Sequence, residues 1–240
     1  MRHIFWAGDS TVACNKFATF PQTGIGQALD RYTAADVVIC NHAVNGRSTK
    51  SFIDESRLAT IYDEITEGDY LFIQFGHNDE KINDPARYTD PHGDFITNLG
   101  KFVNVARNKM AYPVFITSVE RRLFDENGSL KPSEHTEYVK GMKEAAEKFD
   151  VPMVDLFTMS RDFLEKTGDE ASRKYYMNLA PGEASWAPEG KIDNSHLKYE
   201  GAMLYAGMIA KGLKKLGEPY SSLLADEAFL GNTLDIEFNG

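Results

Sequence analysis

Cysteine is scarce in this chain: Cys14 and Cys40 are the only two among 240 residues. A disulfide framework is therefore excluded, and the pair lacks metal-ligand spacing. Positive charge is also in short supply. Twenty-six Lys and Arg against 36 Asp and Glu give a formal net charge of −10. Such diffuse negative charge argues against nucleic acid and anionic membrane surfaces as partners. An acidic substrate would need a local cluster of Arg or Lys. No run approaches the roughly 18 consecutive apolar residues of a membrane span. Residues 1–10 hold too short an apolar run for a secretory signal. The expectation is a cytoplasmic protein, unless a leader has been removed.

The rest of the composition, 42% hydrophobic and 26% charged, is that of an ordinary globular protein. Short apolar runs rich in β-branched residues recur at residues 3–7, 37–40, 70–75, 114–119 and 153–157. Continuous rather than alternating hydrophobicity predicts strands buried on both faces. Helical periodicity fills the gaps. Residues 135–149 put Tyr138, Met142, Ala145, Ala146 and Phe149 on one face, and residues 201–216 do the same with Ala202, Ala206, Ile209, Leu213 and Leu216. Alternation of this kind predicts an α/β protein with a parallel sheet covered on both sides. Five strands fit one domain, residues 1–240, better than two. Residues 178–194 form the longest irregular segment, a length that is usually functional or disordered. Residues 217–240 have little periodicity. Their Leu223, Leu224, Phe229 and Leu230 suit packing on the domain or on a second subunit, giving a homodimer.

Ligands of such sheets bind beyond the carboxyl ends of the strands. Polar blocks follow three predicted strands: Gly8-Asp9-Ser10-Thr11, residues 41–48, and Gly76-His77-Asn78-Asp79. A fourth, Asp193-Asn194-Ser195-His196, precedes the last helix. Ser10 stands at an expected helix start, where it would serve as a cap. The same exposed amides also suit a nucleophile, because they can stabilise an oxyanion. Asp193 and His196 would share a face if they occupy a helical turn. The carboxylate could then hold Nδ1–H while Nε2 takes the proton of Ser10; a surface pair is the bland alternative. Gly46 can bring a backbone N–H close to an oxyanion, and Asn78 offers an amide NH2. Both are also common turn residues.

Taken in order, Gly8-Asp9-Ser10, Gly46 after Asn41, Gly76-x-Asn78-Asp79 and Asp193-x-x-His196 resemble the blocks of the SGNH (GDSL-type) hydrolases, across residues 8–196. Gly46-Arg47-Ser48-x-x-Ser51-Phe52 and Phe75-Gly76-His77-Asn78-Asp79 look like the rhamnogalacturonan acetylesterases within that family. The resemblance implies a flavodoxin-like three-layer α/β/α sandwich with a five-stranded parallel sheet. It implies Ser10 as nucleophile, His196 as base and Asp193 as the residue orienting it. Gly46, Asn78 and the N–H of Ser10 would form the oxyanion hole. It implies a carboxylic ester hydrolase, without metal or organic cofactor, that takes acetyl groups off pectic sugars. The missing secretion signal points to imported, partly acetylated oligosaccharides as the partner. Uronate groups would call for a basic lining, with Arg47, Arg121, Arg122 and Lys131 as candidates beside solvated surface charge. His77 could contact substrate or brace its loop. Trp186, Tyr175 and Tyr176 could stack on a sugar or anchor the late loop.

Four other readings compete. A lipase, thioesterase or general short-chain acylesterase would share the same residues, though no amphipathic lid is evident. A metallophosphoesterase would need carboxylates and imidazoles that the first strand end lacks. A non-catalytic carbohydrate-binding domain would not need Ser10, Asp193 and His196 together. A nucleotide fingerprint at Gly24-Ile25-Gly26 lacks its third glycine and follows no strand. That segment more simply begins the first helix, packing Ile25 and Leu29.

Overall fold

The structure is a computed structural model that describes residues 1–226. Its strands are β1 (Arg2–Gly8), β2 (Val37–Asn41), β3 (Tyr70–Gln74), β4 (Tyr112–Ile116) and β5 (Met153–Val154). They pair in parallel in the order β2-β1-β3-β4-β5. The helices are α1 (Ile25–Ala28), α2 (Thr49–Asp54), α3 (Arg57–Glu64), α4 (Asp94–Asn108), α5 (Thr136–Phe149), α6 (Leu156–Thr167), α7 (Asp169–Ser172) and α8 (Tyr199–Leu216).

Each central strand carries an apolar run, Ile4–Ala7 in β1, Tyr70–Ile73 in β3 and Pro113–Ile116 in β4, because both of its faces are covered. Successive side chains point to opposite sides, so Ile4, Trp6, Tyr70, Phe72, Val114 and Ile116 pack against α1, α6 and α8. Phe5, Ala7, Leu71, Ile73 and Phe115 pack on the other side against α3, α4 and α5. This is the expected three-layer α/β/α sandwich. Burying each large side chain contributes roughly 1.5–3 kcal/mol.

The two predicted helices are α5 and α8, and Ile25 and Leu29 are buried as expected at the first helix. Two predicted strands run too long. β4 stops at Ile116 because the Thr117 and Ser118 hydroxyls turn to Asp155 and to the Phe75 carbonyl. β5 stops at Val154 because the Asp155 carboxylate accepts from the Thr158 N–H and caps α6. Leu156 and Phe157 therefore belong to a helix.

Reversal of strand order between β1 and β3 opens a crevice at their carboxyl ends, where ligands of this topology bind. Within the C-terminal stretch, Leu223 is fully buried in the core. The Tyr220 hydroxyl donates to the Pro113 carbonyl at 2.7 Å, and Arg2 donates to the carbonyl and hydroxyl of Ser222. Phe229 and Leu230 lie outside the described residues. Among the described residues, no helix is long and apolar enough to cross a membrane.

Candidate active site

Ser10 follows β1 in a single turn, not at a helix start. With no helix to cap, it is Asp9 and not Ser10 whose side chain bonds the free amide of this turn. Its buried carboxylate accepts from the Thr11 N–H at 2.9 Å and the Thr11 hydroxyl at 2.8 Å. Its carbonyl accepts from the N–H groups of Val12 and Ala13. The Ser10 hydroxyl is left free of the backbone and faces His196.

Asp193 and His196 are not on a helical turn. They form an Asx turn just before α8, in which Asp193 Oδ1 accepts from the N–H groups of Ser195 (3.0 Å) and His196 (2.9 Å). Short carboxylates make such turns readily. The turn brings the i and i+3 side chains together as well as a helix would. Asp193 Oδ2 lies 2.8 Å from His196 Nδ1, and His196 Nε2 lies 3.0 Å from Ser10 Oγ. The carboxylate fixes the proton on Nδ1 and leaves Nε2 as the acceptor. Burial pushes the Asp193 carboxyl up, but bonds from the His196 side chain and N–H and from Lys191 overcome it. The group is held well below the usual carboxylate range.

Gly46 follows β2 with φ +78°, a conformation that L side chains rarely adopt. Asn78 follows β3. One Asn78 Nδ2 hydrogen goes to the Arg47 carbonyl at 3.2 Å, while Arg87 donates to Asn78 Oδ1 at 3.4 Å. Those two bonds orient the amide and leave its second N–H for a ligand. Gly76 turns the chain out of β3 at φ +146°, and a Cβ there would collide with the Ser118 hydroxyl. Asp79 is buried and ties three loops together. It accepts from the Thr49 N–H (3.0 Å), the Thr49 hydroxyl (2.5 Å) and the Thr89 hydroxyl (2.9 Å). Burial pushes its carboxyl up to about 7 against those bonds.

A cleft of about 410 Å³ is lined by Ser10, Gly46, Asn78 and His196, with Gln22, Asn45, His77, Lys81, Arg87 and Arg121 around them. The structure thus gathers the three expected oxyanion residues and the base in one cavity, with Asp193 behind the imidazole. His77 lines the wall. Burial first, then the neighbouring His135, Arg121 and His196, push its imidazole well below the ordinary range. It is therefore neutral, and it hydrogen bonds to the backbone of Val119.

Several expected substrate contacts go elsewhere. Arg47 turns to Glu55, at 3.0 Å, and is absent from the cleft lining. Trp186 is a loop anchor: its indole N–H donates to the Phe20 carbonyl at 2.8 Å, and Lys191 lies over its ring. Arg122 is buried and braces Asn194, Ser172 and Asp169. The Tyr176 hydroxyl is buried against the Glu120 carbonyl and Tyr205, and Tyr175 packs edge-on against Phe163. Lys81, Arg87 and Gln22 line the cleft without having been anticipated. Lys81 and Arg87 stand three and nine positions after Asn78, in a loop whose irregular sequence carries no periodic signal.

Residues 7–187 match the GDSL-like Lipase/Acylhydrolase family. That span contains Ser10, Gly46 and Asn78 and stops short of Asp193 and His196. The chain is 43% identical over 218 residues to rhamnogalacturonan acetylesterase RhgT of Bacillus subtilis, covering 90% of this chain and 91% of that one. It is 36% identical over 225 residues to the probable rhamnogalacturonan acetylesterase YesY of the same organism, covering 94% and 98%. Among solved structures, protein YXIM of Bacillus subtilis superposes with a TM-score of 0.74 at 24% identity. The match covers 91% of this chain but only 57% of the YXIM chain. Axe2, an acetylxylan esterase from Geobacillus stearothermophilus, gives 0.60 at 14% identity, covering 91% and 95%. Likeness at such identities is one of fold. The family match and the two closely similar relatives make this chain a member of the GDSL-like lipase/acylhydrolase family, and so a carboxylic ester hydrolase.

Proposed function

We propose that the chain is a serine acetylesterase that removes O-acetyl groups from uronate-bearing oligosaccharides of the rhamnogalacturonan type. The observation that carries this reading is the 3.0 Å approach of His196 Nε2 to Ser10 Oγ, with Asp193 on the far side of the ring. His196 takes the Ser10 proton as Oγ bonds to the acetyl carbonyl carbon. The carbonyl oxygen becomes an oxyanion and accepts from the N–H groups of Ser10 and Gly46 and from the free Asn78 amide hydrogen. Collapse breaks the bond to the sugar oxygen, which leaves with the proton held on His196. Water then attacks the acetyl-serine with His196 again as base, releasing acetate and restoring Ser10.

Two features support the short acyl group and the acidic sugar. Among the described residues, the cleft lining has no Leu, Ile, Val, Phe or Met to hold a long acyl chain. It has Lys81, Arg87 and Arg121 and no Asp or Glu among the described residues, in a chain of net charge −10. RhgT is named for the same activity and YesY for the same probable activity. The test is acetate release from acetylated rhamnogalacturonan oligomers and acetylated xylo-oligosaccharides, with Ser10→Ala as blank. Release from the pectic oligomers, lost in the variant, is expected. A preference for octanoyl over acetyl esters would instead assign a lipase or thioesterase.

A further inference from the structure

A second cavity, of about 690 Å³, adjoins the cleft. Arg121 lines the cleft and its neighbour Arg122 lines the second cavity; Ser195 lines the cleft and Asn194 the second cavity. Consecutive residues thus border the two spaces at two places, 121–122 and 194–195. The second is lined by Arg122, Lys131, Arg173, Lys174 and Lys191, with Asp169 as its acid. Together the two cavities take eight of the chain's 26 basic residues and one of its 36 acidic ones.

Some of these cations already have work to do. Arg122 is paired with Asp169, Arg173 with Glu170, and Lys191 with Asp193. Lys131 and Lys174 are exposed and have no carboxylate partner among the described residues, and neither does Lys81 in the cleft. Lys174 lies over the Tyr175 ring at 5.1 Å, a contact that leaves its charge without a counter-ion. Lysines without a carboxylate partner lining two cavities with a single acid between them suit an anionic ligand. The lining of the second cavity also includes Leu123, Leu179 and Phe124, the last with the Arg122 guanidinium over its ring; such apolar surface suits the C–H face of a sugar ring.

We propose that the second cavity is a distal subsite for a carboxylate-bearing sugar unit of the oligosaccharide whose acetylated unit sits at Ser10, with Lys131 and Lys174 as its carboxylate contacts. The proposal rests on the acetylesterase reading for the ligand's identity, but its binding test does not need turnover. Calorimetry with the unmodified chain uses three probes: an unacetylated oligogalacturonate, a neutral xylo-oligosaccharide of equal length, and inorganic phosphate. Oligogalacturonate should bind well above the other two, and Lys131→Ala/Lys174→Ala should weaken it by about tenfold, equivalent to ~1.4 kcal/mol. Lys131→Arg/Lys174→Arg should restore most of the affinity.

For acetylated pectic oligomers the alanine pair should raise KM by a similar factor with kcat unchanged. Hydrolysis of p-nitrophenyl acetate should not change, which also reports that the variant is folded. Equal binding of the neutral oligomer, equal binding of phosphate, or an alanine pair that binds oligogalacturonate like the parent would each overturn the subsite. If no pectic oligomer is deacetylated while oligogalacturonate binds through the two lysines, the proposed reaction fails and the subsite stands.

Discussion

The two sides of the proposed catalytic group are held by different means. Ser10 and Asn78 sit on loops that leave β1 and β3, and each loop is fixed by a buried carboxylate, Asp9 or Asp79, bonded to threonine amides and hydroxyls. Asp193 and His196 come from an irregular segment with isolated bridges at Leu179–Lys191 and Tyr176–Leu197 and a small apolar cluster of Met177, Leu179 and Ala184. Its carboxylate is half-buried and bonded to charged or chargeable partners. One side is wired into the sheet, and the other is delivered by a loop. The two critical carboxylates accordingly shift in opposite directions: Asp79 up to about 7, Asp193 well below the usual range.

The largest expected effect of breaking this contrast is on turnover. Asp193→Asn keeps the Asx turn but removes the charge that fixes the His196 proton, and should lower kcat by about 10⁴-fold. A fall below tenfold in acetate release would remove Asp193 from the mechanism. The Asp193 carboxyl is held well below the usual carboxylate range, so mild acidification does not remove its charge.

Next comes stability against pH. Asp79 titrates near 7 when folded and near 3.8 when unfolded, so the folded protein binds the extra proton between those values. Its contribution to stability is fullest below about pH 4, declines as pH rises to about 7, and is level above. The decline is on the order of 4 kcal/mol at ~1.4 kcal/mol per pKa unit. Asp193 has the opposite sign: its stabilisation is present above about 3.8 and is lost as pH falls further. Urea unfolding of the parent and of Asp79→Asn at pH 4.5 and 7.5 isolates the first term. The parent should lose stability relative to the variant between the two pH values, and parallel profiles would contradict the assignment.

A smaller loss, roughly 2.7–4 kcal/mol in the barrier, or about 10²–10³ in kcat, is expected for Asn78→Ala, with KM little changed. Gly46→Ala should cost about 1–2 kcal/mol of stability from the left-handed backbone alone, because the nearest atom to its new Cβ, Arg87 Nη1, is at an ordinary 3.7 Å. Thermal unfolding gives that number directly. The smallest effect belongs to Trp186→Phe. It removes the bond to the Phe20 carbonyl and should cost about 1 kcal/mol of stability, with kcat on p-nitrophenyl acetate within twofold.

The parts of the molecule that were legible in the sequence share a physical cause. Strands such as β3 read clearly because burial on both faces demands an apolar run, here Tyr70–Ile73. The end of the fifth is not legible because Leu156 and Phe157 are as apolar as strand residues, and only the cap made by Asp155 marks the change to helix. Asp193 and His196 were legible by spacing, yet their local conformation was not, since an Asx turn and a helical turn bring i and i+3 together alike. Arg47 and Trp186 illustrate the limit. Glu55 and the Phe20 carbonyl claim them, and such partners are distant choices that no local pattern encodes. Lys81 and Arg87 were invisible for the complementary reason, as charges on an aperiodic loop whose direction only the fold decides.

The most direct test of the whole account is to trap the intermediate. The enzyme is mixed with p-nitrophenyl acetate, quenched in acid within the first turnover and digested, and the peptide carrying Ser10 is weighed. An acetyl group on Ser10, absent from Ser10→Ala, is the predicted result. Undiminished hydrolysis by Ser10→Ala, or acetyl on another residue with Ser10 unmodified, would contradict the account.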